Sequence, residues 1–148
     1  MINIPPSRVD HTGVRMFWSD QIGKHVAIPG GLERLGECPS YPVSVFVAGD
    51  QAEATRICQA FCDQVGLCVT VTPTEYIYTG GQEAGLIVGL INYPRFPSLP
   101  IEIFAKAEEL AHRLVEGLGQ RGATIQAPDK TIWIGLAEIT RLNAGDAS

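Results

Sequence analysis

Apolar and polar residues alternate strictly over residues 43–48 and then change to a helical spacing. The three valines of this segment share one parity, which predicts a strand with one buried face. From Ala54 onward the apolar positions recur at i, i+3, i+4, i+7, i+8 and i+11, which predicts an amphipathic helix. Asp50 is expected to cap the start of this helix, and Gly66 is expected to end it.

Two further strands follow, and their patterns differ. In residues 67–78 apolar residues alternate with threonines and tyrosines, which predicts a strand with one wetter face. Pro73 has no backbone N–H, so we expect this strand at a sheet edge or interrupted by a bulge. A turn at residues 79–83 leads into the uninterrupted apolar run 86–91, which predicts a strand in the interior of the sheet.

A second helix follows a loop at residues 92–100 that contains three prolines. Ser98 is expected to cap this helix, which carries one apolar stripe and ends near residues 117–119. Residues 124–126 and 131–134 then predict one or two strands around a turn.

This order of elements, strand, helix, strand, strand, helix, strand, is that of an α+β ferredoxin-like plait, an antiparallel sheet with two helices on one face. We expect the plait at residues 43–142, an N-terminal extension at residues 1–42 that packs on it, and a flexible tail at residues 143–148. The other face of the sheet needs a cover, which is the extension or, alternatively, a second copy of the chain. The positions expected on that face are Phe46, Ala48, Tyr76, Tyr78, Ile87, Gly89 and Ile91.

Composition narrows the classes of function. The chain has 148 residues, 45% hydrophobic and 18% charged, which is typical of one globular domain. A formal net charge of -5 argues against binding to nucleic acid, and no apolar run reaches the length of a membrane span. Without a recognisable signal peptide, we expect a soluble, cytoplasmic protein whose four cysteines are free buried thiols. No metal site and no cofactor is expected.

One candidate site consists of the two loops that precede the helices. The loop at residues 49–51 and the loop at residues 92–96 are expected to be neighbours at one end of the sheet. Arg95, beside two helix N-termini, then offers bidentate binding to a carboxylate or phosphate, flanked by Tyr93 and Phe96. The alternative interpretation is that Asp50 only caps its helix, Arg95 pairs with an acid and the aromatic rings close the core.

A second candidate site lies at the hairpin turn. Gly80 and Gly81 permit close approach of a ligand to the backbone. Glu75, Tyr76 and Tyr78 form a polar and aromatic cluster of the kind enriched in recognition surfaces. Alternating tyrosines are also ordinary in a half-exposed strand.

Three classes of function remain open from the sequence. The first is a small non-catalytic binding protein that recognises a protein partner or a small anionic ligand through these residues, with a homodimer as a further option. The second is a small enzyme that acts on an anionic substrate, with Arg95 as anion clamp and Asp50 or Glu75 as base. The third is a structural subunit. No catalytic motif separates them, and the first class is the main expectation.

Overall fold

The computed structural model describes residues 8–9, 15–27 and 31–137, and the chain divides into two compact units, Met1–Leu35 and Gly36–Ser148. The first unit contains an antiparallel sheet of the strands β1 (Arg8–Val9), β2 (Arg15–Ser19) and β3 (Lys24–Ala27). That the N-terminal segment covers the sheet of the second unit stays a prediction. The expected tail at residues 143–148 lies outside the described residues.

The second unit is an antiparallel sheet with the strand order β5-β6-β4-β7-β8 and two helices. The α+β class is therefore confirmed. The order and directions of β5, β6, β4 and β7 are compatible with the predicted plait, and β8 adds a fifth strand at the edge beside β7. The elements are β4 (Val43–Ala48), α1 (Gln51–Val65), β5 (Thr70–Tyr78), β6 (Gly81–Leu90), α2 (Pro100–Gly117), β7 (Gly122–Gln126) and β8 (Thr131–Gly135).

The core lies between the two helices and one face of this sheet. Its largest fully buried side chains include Phe61 from α1, Leu110 and Leu114 from α2, and Leu86 and Leu90 from β6. The alternation in β4 is confirmed, because its valines are buried and the residues between them are partly exposed. The edge position of the strand with Pro73 and the interior position of β6 are confirmed as well.

The boundaries of the helices follow from their caps. The side chain of Asp50 accepts a hydrogen bond of 3.0 Å from the backbone N–H of Glu53, and Gly66 ends α1 with φ of 69°. Both features match the sequence prediction. The prediction that Ser98 caps α2 is wrong, because the helix begins one residue later and Leu99 occupies the cap position.

Asn92 fixes the loop that precedes α2. Its side chain is buried, donates to the carbonyl oxygen of Pro39 at 2.9 Å and accepts from the backbone N–H of Ser98 at 2.9 Å. Pro39 and Ser98 each lose a hydrogen bond if the Asn92 amide is removed.

We expect Asn92→Ala to lower the free energy of unfolding by about 2 kcal/mol, because it leaves a part-buried N–H and a carbonyl without their partner. Urea denaturation measures this difference. Gln59→Ala is the control, since it removes an amide that bonds only to exposed Asp63 on the same helix. Equal stability of Asn92→Ala and the wild type would show that the loop does not depend on this amide.

The four cysteines are free, but they differ in exposure. Cys58 is buried, and its burial raises the pKa of the thiol to about 11. Cys38 and Cys62 are partly exposed, and Cys68 is exposed. The prediction that all four thiols are buried is therefore wrong for three of them.

Within the described ranges, no helix is long and apolar enough to cross a membrane. Residues 8–9, 15–27 and 31–137 also contain no group of three or more His, Cys, Asp or Glu side chains that could hold a metal ion.

Candidate functional site

The two loops that the sequence places together lie at opposite ends of the sheet. β6 runs antiparallel to β4, and the end of β4 at Ala48 pairs with Gly85 near the start of β6. Asp50 therefore follows β4 at one end, whereas Arg95 follows β6 at the other end. The prediction that these loops are neighbours is wrong, because the third strand of such a plait runs opposite to the first.

The predicted acidic residues occupy one shallow depression. Asp50 and Glu75 both line an open hollow of about 540 Å³ beyond the end of β4. The carboxylate of Asp50 already accepts the N–H of Glu53 there. Arg95 is exposed at the far end of β6. The structure thus does not assemble an anion clamp from Arg95 with either acid as base.

The predicted aromatic residues of the other loop form a separate pocket. The rings of Tyr93 and Phe96 have centroids 5.5 Å apart and line a pocket of about 290 Å³. The thiol of Cys68, which also lines this pocket, lies 3.4 Å from the hydroxyl of Tyr93. We call this space the loop pocket.

A larger cleft opens on the helix-free face, where the β5–β6 hairpin extends past the end of β4. The last four residue pairs of the hairpin, from Glu75 with Ala84 to Tyr78 with Gly81, lie beyond the pair of Ala48 and Gly85. At the strand rise of roughly 3.3 Å per residue, this overhang is about 13 Å long. It forms one wall, and the start of β7 with Trp133 of β8 forms the other.

This cleft has a volume of about 580 Å³, within the usual range of about 300–1,000 Å³ for ligand pockets. It contains Tyr76 and Tyr78, two of the three tyrosines proposed as site residues from the sequence. Of the two glycines also proposed as site residues, Gly80 lies in the turn at the tip of the hairpin, and Gly81 begins β6 opposite Tyr78. The residues that line the cleft are Phe46, Val47, Ala48, Tyr76, Tyr78, Glu83, Gly119, Gln120, Arg121, Gly122, Ala123, Thr124 and Trp133.

Glycines allow two aromatic rings to lie against the sheet in this cleft. The ring of Tyr76 occupies the space that a Cβ on Gly85 would need, and its hydroxyl donates to the carbonyl of Leu86 at 2.6 Å. The ring of Trp133 lies in the same way against Gly122 and Gly135. Any larger residue at these three positions would displace a ring.

Gly85→Ala is expected to push the Tyr76 ring out of place and to lower the free energy of unfolding by about 1–2 kcal/mol. The added methyl group would also meet the carbonyl oxygen of Val47 at 2.6 Å, so rotation of the tyrosine alone does not relieve the clash. Thermal unfolding measures the loss. Gly31→Ala is the control, because a Cβ there meets nothing within 4 Å. If both variants unfold like the wild type, the ring does not depend on Gly85.

The cleft carries charges of both signs. Glu83 lies directly across the strand pair from Tyr76, on the same face. Burial raises the pKa of Tyr76 and the charge of Glu83 adds to the increase, against a backbone hydrogen bond at Val47 that lowers it. Tyr76 is therefore a neutral hydrogen-bonding phenol at neutral pH. Within the described part of the chain, the side chains of Glu83 and Arg121 form no hydrogen bond or ion pair.

Several residues of this cleft are not identifiable as site residues from the sequence. Phe46 was expected on the second face of the sheet but without a role in a site. Glu83 pairs with Tyr76 once the two-residue hairpin turn is fixed, and Trp133 lies opposite Thr124 in the pairing of β7 with β8. The register of these two strand pairs is the signal that would have found them.

Fold and cleft together define a class: an α+β domain that presents an aromatic cleft of mixed charge on the helix-free face of its sheet. The chain is similar to a phage SAM lyase in complex with S-methyl-5'-thioadenosine, with a TM-score of 0.57 and 14% identity over 72% of this chain and 97% of that one. It is also similar to a phage SAM lyase in the apo state, with a TM-score of 0.56 and 16% identity over 73% of this chain and 98% of that one. No family model and no curated protein matches the sequence.

At this identity the similarity shows the fold, and it also corrects the main functional expectation. Both similar structures are of an enzyme, which contradicts the interpretation of the chain as a non-catalytic binding protein. The comparison favours the alternative of a small enzyme. The residues suggested for that enzyme from the sequence do not form one site, whereas the residues of the cleft do.

Proposed function

We propose that the chain is a small lyase that cleaves S-adenosylmethionine (SAM) in the cleft on the helix-free face of the sheet. One observation carries the proposal. A cleft lined by aromatic residues and by Glu83, which lies opposite Tyr76, is found on the same fold as a SAM lyase whose structure holds a methylthio nucleoside.

The aromatic side chains supply the recognition of a nucleoside. Base stacking on an aromatic ring contributes about 1–3 kcal/mol, and every purine offers a flat face for it. Trp133 and Tyr78 are 56% and 55% exposed, so both rings are available to a ligand. The sulfonium group of SAM is a cation, and the face of an aromatic ring such as Tyr76 attracts cations.

Glu83 supplies the negative charge that such a substrate needs. SAM carries an ammonium group as well as the sulfonium, and a carboxylate without a protein partner in the cleft binds an ammonium by a charge-assisted hydrogen bond. We assign this role to Glu83. In this proposal the amino-acid end of the substrate lies beside the hairpin wall, because Glu83 lies opposite Tyr76.

Lyase chemistry on SAM breaks one carbon–sulfur bond, and the electron pair of that bond stays on sulfur. The sulfonium becomes a neutral thioether, and the carbon takes its new electron pair from within the substrate, so water is not consumed. The sulfonium loses its positive charge in this step, and the carbon fragment gives up either one negative charge or one proton, so the total charge is conserved.

Incubation of the full chain with SAM tests this function. We expect S-methyl-5'-thioadenosine to form faster than in the protein-free solution, with a rate proportional to protein concentration, measured by liquid chromatography and mass spectrometry. The fate of the amino-acid fragment is read in the same experiment. A rate equal to the protein-free background would exclude the proposed activity.

We also propose a cytoplasmic location. All four cysteines are free thiols, which is typical of proteins in reducing compartments. Fractionation of the source cell followed by immunodetection tests it, and recovery of the chain from an oxidising compartment would contradict it.

A further inference from the structure

We propose that Arg121 binds the carboxylate of the substrate and so selects nucleosides that carry a free amino-acid carboxylate. This inference rests on the proposed function, because it assigns the part of the substrate that the aromatic rings and Glu83 leave unbound. It names a specificity-determining residue in the wall of the cleft opposite the hairpin.

Arg121 lies in a short segment between α2 and β7 that is held on both sides. Its carbonyl oxygen accepts the backbone N–H of Leu136 at 3.1 Å, and the preceding residue, Gln120, donates its own N–H to Val115 at 2.9 Å. The backbone at this position is therefore fixed by the end of the helix and by the segment after β8. Arg121 itself is exposed and is one of the residues that line the cleft.

Arg121 is the one cationic residue among the described residues that line the cleft. An anionic group of any ligand in the cleft would find its countercharge there. A guanidinium also matches a carboxylate in shape, because two parallel N–H groups reach both oxygens. Glu83 provides the opposite charge on the hairpin wall, so the two walls together fit an amino acid group that carries an ammonium and a carboxylate.

Two adenine nucleosides that differ in this group test the inference. S-adenosylhomocysteine carries the amino-acid carboxylate, whereas S-methyl-5'-thioadenosine lacks it, and both have a neutral sulfur. We expect Arg121→Gln to weaken the binding of S-adenosylhomocysteine by about 10- to 100-fold and that of S-methyl-5'-thioadenosine by less than about 3-fold. Isothermal titration calorimetry on the full chain measures both. Arg121→Lys should lose part of the affinity for S-adenosylhomocysteine, because lysine keeps the positive charge but lacks the two parallel N–H groups of the guanidinium.

Arg95→Gln is the matched control, because Arg95 is exposed and lies at the other end of the sheet. It should change neither affinity. If Arg121→Gln weakens the binding of both nucleosides equally, or of neither, the inference is wrong while the lyase function stands. If the wild-type chain binds neither nucleoside and does not cleave SAM, the proposed function fails and the inference fails with it.

Discussion

Glu83→Gln is expected to lower kcat/KM for the cleavage of SAM by about 5-fold. The substitution keeps the size and a hydrogen-bonding group but removes the only negative charge among the described residues of the cleft. The ammonium group of the substrate then loses its countercharge, and because Glu83 is exposed such a pair contributes about 1 kcal/mol. Initial rates of S-methyl-5'-thioadenosine formation over a range of SAM concentrations measure the effect.

The control for this variant is Glu116→Gln. Glu116 is exposed near the end of α2 and does not line the cleft, so its substitution removes the same charge from the chain without touching the site. Urea denaturation of both variants shows whether either is less stable. If Glu83→Gln is folded and retains the wild-type kcat/KM, Glu83 does not bind the substrate.

Trp133→Ala is expected to weaken the binding of S-methyl-5'-thioadenosine by about 10- to 100-fold. The variant removes one aromatic wall, and the stacking of a base on such a ring is worth about 1–3 kcal/mol. Trp133→Phe should retain most of the affinity, because a smaller ring can still lie against Gly122 and Gly135. Calorimetric titration with the nucleoside measures all three proteins.

Phe96→Ala is a matched control for this prediction. Phe96 is 57% exposed and Trp133 is 56% exposed, so each variant removes an aromatic ring of similar exposure. Phe96 belongs to the loop pocket and not to the cleft. Loss of affinity in Phe96→Ala with full affinity in Trp133→Ala would place the nucleoside in the loop pocket.

The fold was largely predictable because its elements are set by local patterns. Alternation alone identified β4, and an unbroken apolar run identified the interior strand β6. The missing N–H of Pro73 identified the edge strand. Each of these signals depends on contacts that repeat along a few residues, so no knowledge of distant partners is required.

The site was less predictable because it depends on strand directions and register. Asp50 and Arg95 were placed together from element order, but β4 and β6 run in opposite directions and carry their loops to opposite ends. Tyr76 and Tyr78 were identified correctly as lying on the helix-free face of the sheet. Trp133 enters the cleft only through the pairing of β8 with β7, which no local pattern reveals.

We propose that the cleft on the helix-free face, and not the loop pocket, is where the nucleoside of SAM is bound and cleaved. A crystal structure of the full chain with S-methyl-5'-thioadenosine tests it most directly. We predict that the adenine lies against Trp133 and that the sulfur lies beside Tyr76 and Glu83. A nucleoside bound between Tyr93 and Phe96, with the cleft empty, would show that the cleft is not the binding site.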